Sequence, residues 1–284
     1  MRPITAITLF LTLSTQCVCA QFYYKDILST QETSARQLAY KNNRIHKVTV
    51  RNYNPDGTEN KDFVCEQDLN PSWTSTATLT GSASTGKSVL TSFFDDSSRL
   101  VRSVDSSTDA VTTTNYTYTP TGSLLSIRSD SRGASTDTVH ARYASLESHT
   151  WEYSPTGQPT GMLSIKNGVD TTWVSIKTDA QGNVTDELTY RQGSALQHYY
   201  YYYDESHHLT DIVRYNPQLQ RMVPDYMFEY DEAGKMDQMM IVQALDNNYL
   251  VWRYQYDNNG LRMKELCYDK SKELLGSIGY DYVR

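Results

Sequence analysis

The stretch "YMFEYDEAGKMDQMMIV", residues 226–242, decides the fold. In its first part Tyr226, Phe228 and Tyr230 alternate with Met227 and Glu229, the two-residue period of a strand with one aromatic face. Asp231 follows, a residue whose carboxylate accepts hydrogen bonds from the backbone of a turn just after it. Gly234 then supplies the left-handed backbone that closes a hairpin through a G1 bulge. "KMDQMMIV" leads away as the returning strand. The stretch is a β-hairpin.

It recurs along the chain. "YNPDG" (53–57), "YTPTG" (118–122), "YSPTG" (153–157), "TDAQG" (178–182) and "YDNNG" (256–260) align with "YDEAG" (230–234), and "FDDSS" (94–98) and "YDESH" (203–207) are degenerate copies. From 153 onward the copies are spaced 25, 25, 27 and 26 residues. Pro55, Pro120 and Pro155 stand where a type I turn needs φ near −65°, and His207 takes the glycine place in its copy, a residue that tolerates positive φ better than most. Trp252, Tyr254 and Tyr256 repeat the aromatic alternation, as do Trp151 and Tyr153 around Glu152. Asn167-Gly168, Arg191 to Ser194, Asn216-Pro217 and Asp246 to Asn248 mark the return connections. The chain therefore reads as all-β, a long antiparallel meander of about eight hairpins, or some sixteen strands. The region between 118 and 153 is not assigned. A meander of this length must close, cover or charge its edges, so a closed or nearly closed barrel is expected, with an open curved ribbon as the alternative.

These copies resemble the YD repeats of bacterial RHS-type proteins, whose unit is Tyr-Asp-x-x-Gly within a hairpin. The likeness covers roughly residues 45–284 and is strongest over 199–284. It is similar in scale to the small exported bacterial members of that group, of unknown function, some of them porin-like barrels. The resemblance implies architecture and no activity.

The first twenty residues, with one arginine, an apolar run from Ile4 to Leu13 and the small-residue close Val18-Cys19-Ala20, read as a signal peptide cut after Ala20. The run is too short to span a bilayer, which takes about 20 apolar residues. Residues 21–44 form an N-terminal segment, and 45–284 the hairpin-repeat domain. Loss of the leader's arginine takes the net charge from −7 to −8. That acidic balance opposes nucleic-acid binding, which asks for a basic face. The expected location is the periplasm, cell surface or exterior. In such an oxidising compartment Cys65 and Cys267, near opposite ends of the repeat domain, are candidates for a disulfide.

"GSASTGKS" (81–88) matches the phosphate-loop pattern letter for letter, yet a phosphate loop must open a helix. Here alternating "WTSTATLT" precedes it and β-branched, aromatic "VLTSFFDD" follows, so it reads as a hairpin, with no nucleotide or other cofactor expected. The six histidines show no zinc-type spacing, and Glu205, His207 and His208 crowd one turn without enough ligands for a metal. No catalytic motif stands out, and the protein is expected not to be an enzyme. The functional hint is aromatic: 23 tyrosines against 6 phenylalanines. Rows at strand spacing, Tyr199, Tyr201 and Tyr203, then Phe228 and Tyr230, then Trp252 and Tyr254, are candidates to stack on a cell-surface glycan or a peptide; the plainer reading makes them core. The expected function is an exported, noncatalytic binding or structural protein of the cell envelope. The rivals are a glycoside-type hydrolase with a carboxylate pair inside the barrel, and a membrane-spanning barrel, which needs an apolar outer band.

Overall fold

The computed structural model describes residues 22–133, 144–243 and 248–284; the leader therefore lies outside the described residues. One helix, α1 (Lys25–Asn42), precedes eighteen strands. The first six are β1 (Lys47–Tyr53), β2 (Val64–Leu69), β3 (Ser75–Ser82), β4 (Gly86–Phe94), β5 (Leu100–Ser107) and β6 (Ala110–Tyr118). The middle six are β7 (Leu124–Gly133), β8 (Ala144–Tyr153), β9 (Pro159–Lys166), β10 (Asp170–Thr178), β11 (Val184–Arg191) and β12 (Ser194–Tyr203). The last six are β13 (Leu209–Asn216), β14 (Arg221–Tyr230), β15 (Met236–Gln243), β16 (Asn248–Tyr256), β17 (Arg262–Tyr268) and β18 (Leu274–Val283). Each strand pairs antiparallel with the next, and β18 pairs with β1 from Lys47↔Val283 to Tyr53↔Ser277. The meander is a closed barrel, with neither sheet edge left open.

The turns follow the chemistry read from the sequence. The Asp231 carboxylate accepts the N–H groups of Ala233 and Lys235 at 2.9 and 2.8 Å, and Asp257 does the same for Asn259 and Leu261. Gly234 sits at φ +75° and His207, in the same place of its own copy, at +64°. A bulge falls at Tyr230 and at Tyr256. Eighteen strands rather than sixteen arise partly because "YDKSK" (268–272) is a further copy. Asp269 accepts from Ser271 and Glu273, and Lys272 takes the left-handed place at φ +64°. It follows the previous copy by twelve residues instead of about twenty-five, which hid it. Strand parity puts the turns from 95–98 to 257–260 at one mouth of the barrel, and those at 54–57 and 269–272 at the other. "GSASTGKS" is a hairpin tip, with Gly81 opposite Lys87 and Ser82 opposite Gly86; no helix is there to receive a phosphate.

The tyrosine of the motif has its own task. Tyr118, Tyr153, Tyr230 and Tyr256 donate their hydroxyls to the carbonyls of Leu100, Leu124, Leu209 and Met236, at 2.6 to 2.9 Å. Each acceptor lies two residues past the left-handed position of the preceding motif turn. The intervening residue often stacks on the same ring: Arg99 on Tyr118, His208 on Tyr230, Lys235 on Tyr256. These four tyrosines thus staple their repeats to the ones before them, each hydroxyl satisfying a backbone acceptor of the preceding turn's returning strand.

An eighteen-stranded barrel is too wide for its own side chains to fill; barrels of that size leave a channel unless something plugs them. Here α1 is the filler. Eighteen residues make a rod of about 27 Å. At its start, Phe22 packs edge-on against Tyr199, Tyr201 and Tyr226, and Asp26 bonds His149 of β8. At its other end Tyr40 bonds Gln67 of β2 and meets the ring of Tyr282 on β18, while Gln37 bridges Trp73 and Thr76. These two groups of strands are about half a circumference apart, so the helix lies across the lumen. Its buried face carries Asp26, Ile27, Thr30, Gln37 and Tyr40, whereas Gln31, Glu32, Ala35 and Arg36 are exposed.

Candidate functional site

Two sectors line the lumen. From β12 to β18 the inward positions are largely aromatic, and from β3 to β7 they are rich in hydroxyls, with Thr112 paired to Ser131 and Thr114 to Ser129. The seven aromatics picked from the sequence belong to the first sector. Tyr199, Tyr201, Trp252 and Tyr254 are buried. Tyr203 and Phe228 pack against the same core, and Tyr230 is half-buried beneath the His208 ring. The expectation of open stacking rows on these residues is corrected: closure turned the aromatic face inward, where burial of each large side chain stabilises the fold by about 2–3 kcal/mol.

The disulfide is corrected too. Cys65 and Cys267 are free, buried thiols, whose pKa burial pushes up, to about 12 and about 11. Closure does bring the chain's two ends together, but through β1 and β18. The cysteines sit one strand further out on each side, on β2 and β17. Three strand spacings of about 4.8 Å separate those strands, beyond the reach of a disulfide.

What the lumen does assemble is a polar cluster around the start of α1. The His149 ring lies between two carboxylates, its Nδ1 2.6 Å from Asp26 and its Nε2 3.1 Å from Glu147. Burial favours the neutral ring, but the two carboxylates outweigh it and push the His149 pKa up to about 9, so both nitrogens donate. Glu187, fully buried on β11, accepts the backbone N–H groups of Tyr23 and Tyr24 and the Tyr201 hydroxyl, at 2.7, 2.8 and 2.8 Å. Burial raises its pKa to about 7 against the pull of those donors. Burial also lowers the Lys25 ammonium, opposed by Asp26, Glu147 and Glu187. A cavity of about 370 Å³ opens beside this cluster, between α1 and the β5–β8 wall, and Thr114, Tyr116, Ser129 and Ile127 complete it.

Sequence reasoning missed these residues. The signal was present for Glu147 and His149: they continue, two residues at a time, the face that holds Trp151 and Tyr153. The barrel interior therefore does hold an acidic pair within the roughly 10 Å that glycoside hydrolysis uses, Asp26 and Glu147, but the imidazole occupies the space between them. Among the described residues no group of three or more His, Cys, Asp or Glu side chains is placed to hold a metal ion; His207 instead meets Asn183, and His208 its own turn's Asp204.

No protein-family model matches the sequence, and no curated protein matches it. Among solved structures, a porin-like protein from Bacteroides uniformis aligns at 8% identity over 84% of this chain and 96% of its own, with a TM-score of 0.42. A porin-like protein from Bacteroides vulgatus aligns at 13% identity over 84% and 98%, with a TM-score of 0.30. The Tc holotoxin pore of Photorhabdus luminescens aligns at 12% identity over 86% of this chain and only 17% of its own, with a TM-score of 0.30. At this distance none of them bears on what this chain binds or does.

Proposed function

We propose that the protein is an exported, water-soluble, noncatalytic β-barrel of the bacterial cell envelope, serving as a structural or binding module whose lumen is plugged by its own N-terminal helix. The observation that carries this reading is which way the wall faces. The buried aromatic rows are turned inward, and the outer face, though it exposes Trp173, Tyr202 and Met227, carries Arg128, Asp130 and Arg132 on β7, the Asp186–His198 pair on β11 and β12, and Arg51 with Asp281 across the closing seam. A lipid-facing barrel has the reverse pattern, and a single Arg or Lys at the bilayer midplane costs it about 2–4 kcal/mol.

The cluster at α1 supports the noncatalytic part. With both nitrogens donating to carboxylates, His149 keeps no lone pair for a general base. Glu187 already accepts from three donors, and the Asp26–Glu147 pair leaves no room for a glycosidic bond. The test is expression with the leader, followed by fractionation, N-terminal sequencing and assay against nitrophenyl glycosides. The expected result is release into the soluble exported fraction without detergent, a chain beginning at Gln21, and no nitrophenol above a Glu147→Gln control. Retention in membranes until detergent is added would overturn the reading.

A further inference from the structure

We infer that the cavity between α1 and the β5–β8 wall is a binding site for a neutral carbohydrate of one or two rings. This rests on the binding form of the function proposed above and locates it away from the aromatic rows. The lining has the mixed character of a sugar. Thr33, Thr114 and Ser129 offer hydroxyls that both donate and accept, Tyr116 offers a ring, and Leu100 and Ile127 offer apolar surface. At about 370 Å³ the space falls within the ~300–1,000 Å³ usual for small-molecule sites.

Charge narrows the class. Lys25 and His149 balance Asp26 and Glu147 in the lining, so an ionic ligand would find no net counter-charge and would have to break an existing pair. An uncharged ligand keeps them intact. A second observation asks for a donor. Asp105 faces the same lumen sector, opposite Thr112 of β6, and its Oδ1 is buried with no hydrogen-bond partner in the described structure. A buried acceptor left unmet is costly, and a two-ring ligand that extends past the cavity lining at Thr114 toward Thr112 would meet it with a hydroxyl.

The test titrates the purified exported protein with glucose, galactose, mannose, N-acetylglucosamine, maltose, cellobiose and lactose, followed by saturation-transfer NMR and calorimetry. At least one sugar should bind. Thr114→Leu, which fills the cavity and removes a hydroxyl, should weaken binding about tenfold or more while circular dichroism stays unchanged; Ser129→Val replaces it if that variant fails to fold. Trp173→Ala, on the outer wall, should leave affinity alone. The inference is overturned if no sugar binds, if the cavity-filling variant binds as well as the parent, or if Trp173→Ala abolishes binding. None of these results touches the fractionation outcome, which tests the soluble-barrel reading separately.

Discussion

The carboxylate of Glu187 receives the backbone N–H groups of both Tyr23 and Tyr24, at 2.7 and 2.8 Å, across more than 160 residues of chain. Tyr24, at the N-cap of α1, makes no side-chain cap of its own. A helix start leaves four N–H groups without intrahelical partners and carries a partial positive charge. The N–H groups of Asp26 and Ile27 turn back to the carbonyls of Tyr23 and Tyr24, and the wall supplies the partner for the N–H groups of Tyr24 and of Tyr23 just before it. Glu187→Ala should lower stability by about 2–4 kcal/mol at pH 7, because it leaves two N–H groups and the Tyr201 hydroxyl unmet. Urea unfolding of the variant beside the parent measures this, and an unchanged midpoint would refute it.

Stability should fall steadily from pH 5 to pH 9. Glu187 is raised in the fold to about 7, so the protonated form is favoured there and stability declines as pH climbs from the ordinary carboxylate value through 7. His149 is raised to about 9, so its contribution is complete below about 6.5 and lost as pH climbs through 9. Each limb is worth about 3 kcal/mol. Below pH 4 the trend reverses, because turn carboxylates such as Asp179, held low by the Asn183 amide, become protonated. Melting temperatures across this range, with Glu187→Gln flattening the lower limb and His149→Asn the upper, give the check.

The turn copies predict opposite effects at equivalent positions. Lys272 occupies the left-handed place at φ +64°, where an L side chain is strained, so Lys272→Gly should stabilise by about 0.5–1 kcal/mol. Gly157, at φ +84° with open space around it, should lose about 1 kcal/mol as Gly157→Ala, through backbone strain alone. Gly182→Ala should lose more, since its new methyl meets Gln158 at 3.3 Å. Chemical denaturation of the three variants ranks them.

Tyr256→Phe removes one staple. The Met236 carbonyl loses its donor, and the Lys235 ammonium keeps a ring to sit over. The expected loss is about 1–2 kcal/mol, with earlier hydrogen exchange in β15 and β16 than in β5 and β6.

Most of the wall was legible because its signals are local. Asp231 and Gly234 announce a turn by their own chemistry, and Tyr226, Phe228 and Tyr230 announce a face by their spacing. Closure followed from the need to pair edges. Two things were not legible. The helix was hidden because its buried face is mostly polar: of Asp26, Ile27, Thr30, Gln37 and Tyr40, only Ile27 is an aliphatic residue, so no apolar stripe stands out. The Asp26–His149–Glu147 cluster was hidden because Asp26 lies more than 120 residues before the other two and meets them only once the barrel has closed around the helix. The same closure decided the fate of Trp252 and Tyr254, whose row reads equally well as platform or core until the curvature of the sheet is known.

The most direct test of the central claim, a helix laid across the lumen of a closed barrel, is amide hydrogen exchange of the folded protein over residues 28–42. The account predicts protection comparable to that of β1 and β18, and its loss in Glu187→Ala ahead of the strands. Exchange within seconds, at the rate of a free peptide while the strands stay protected, would contradict it.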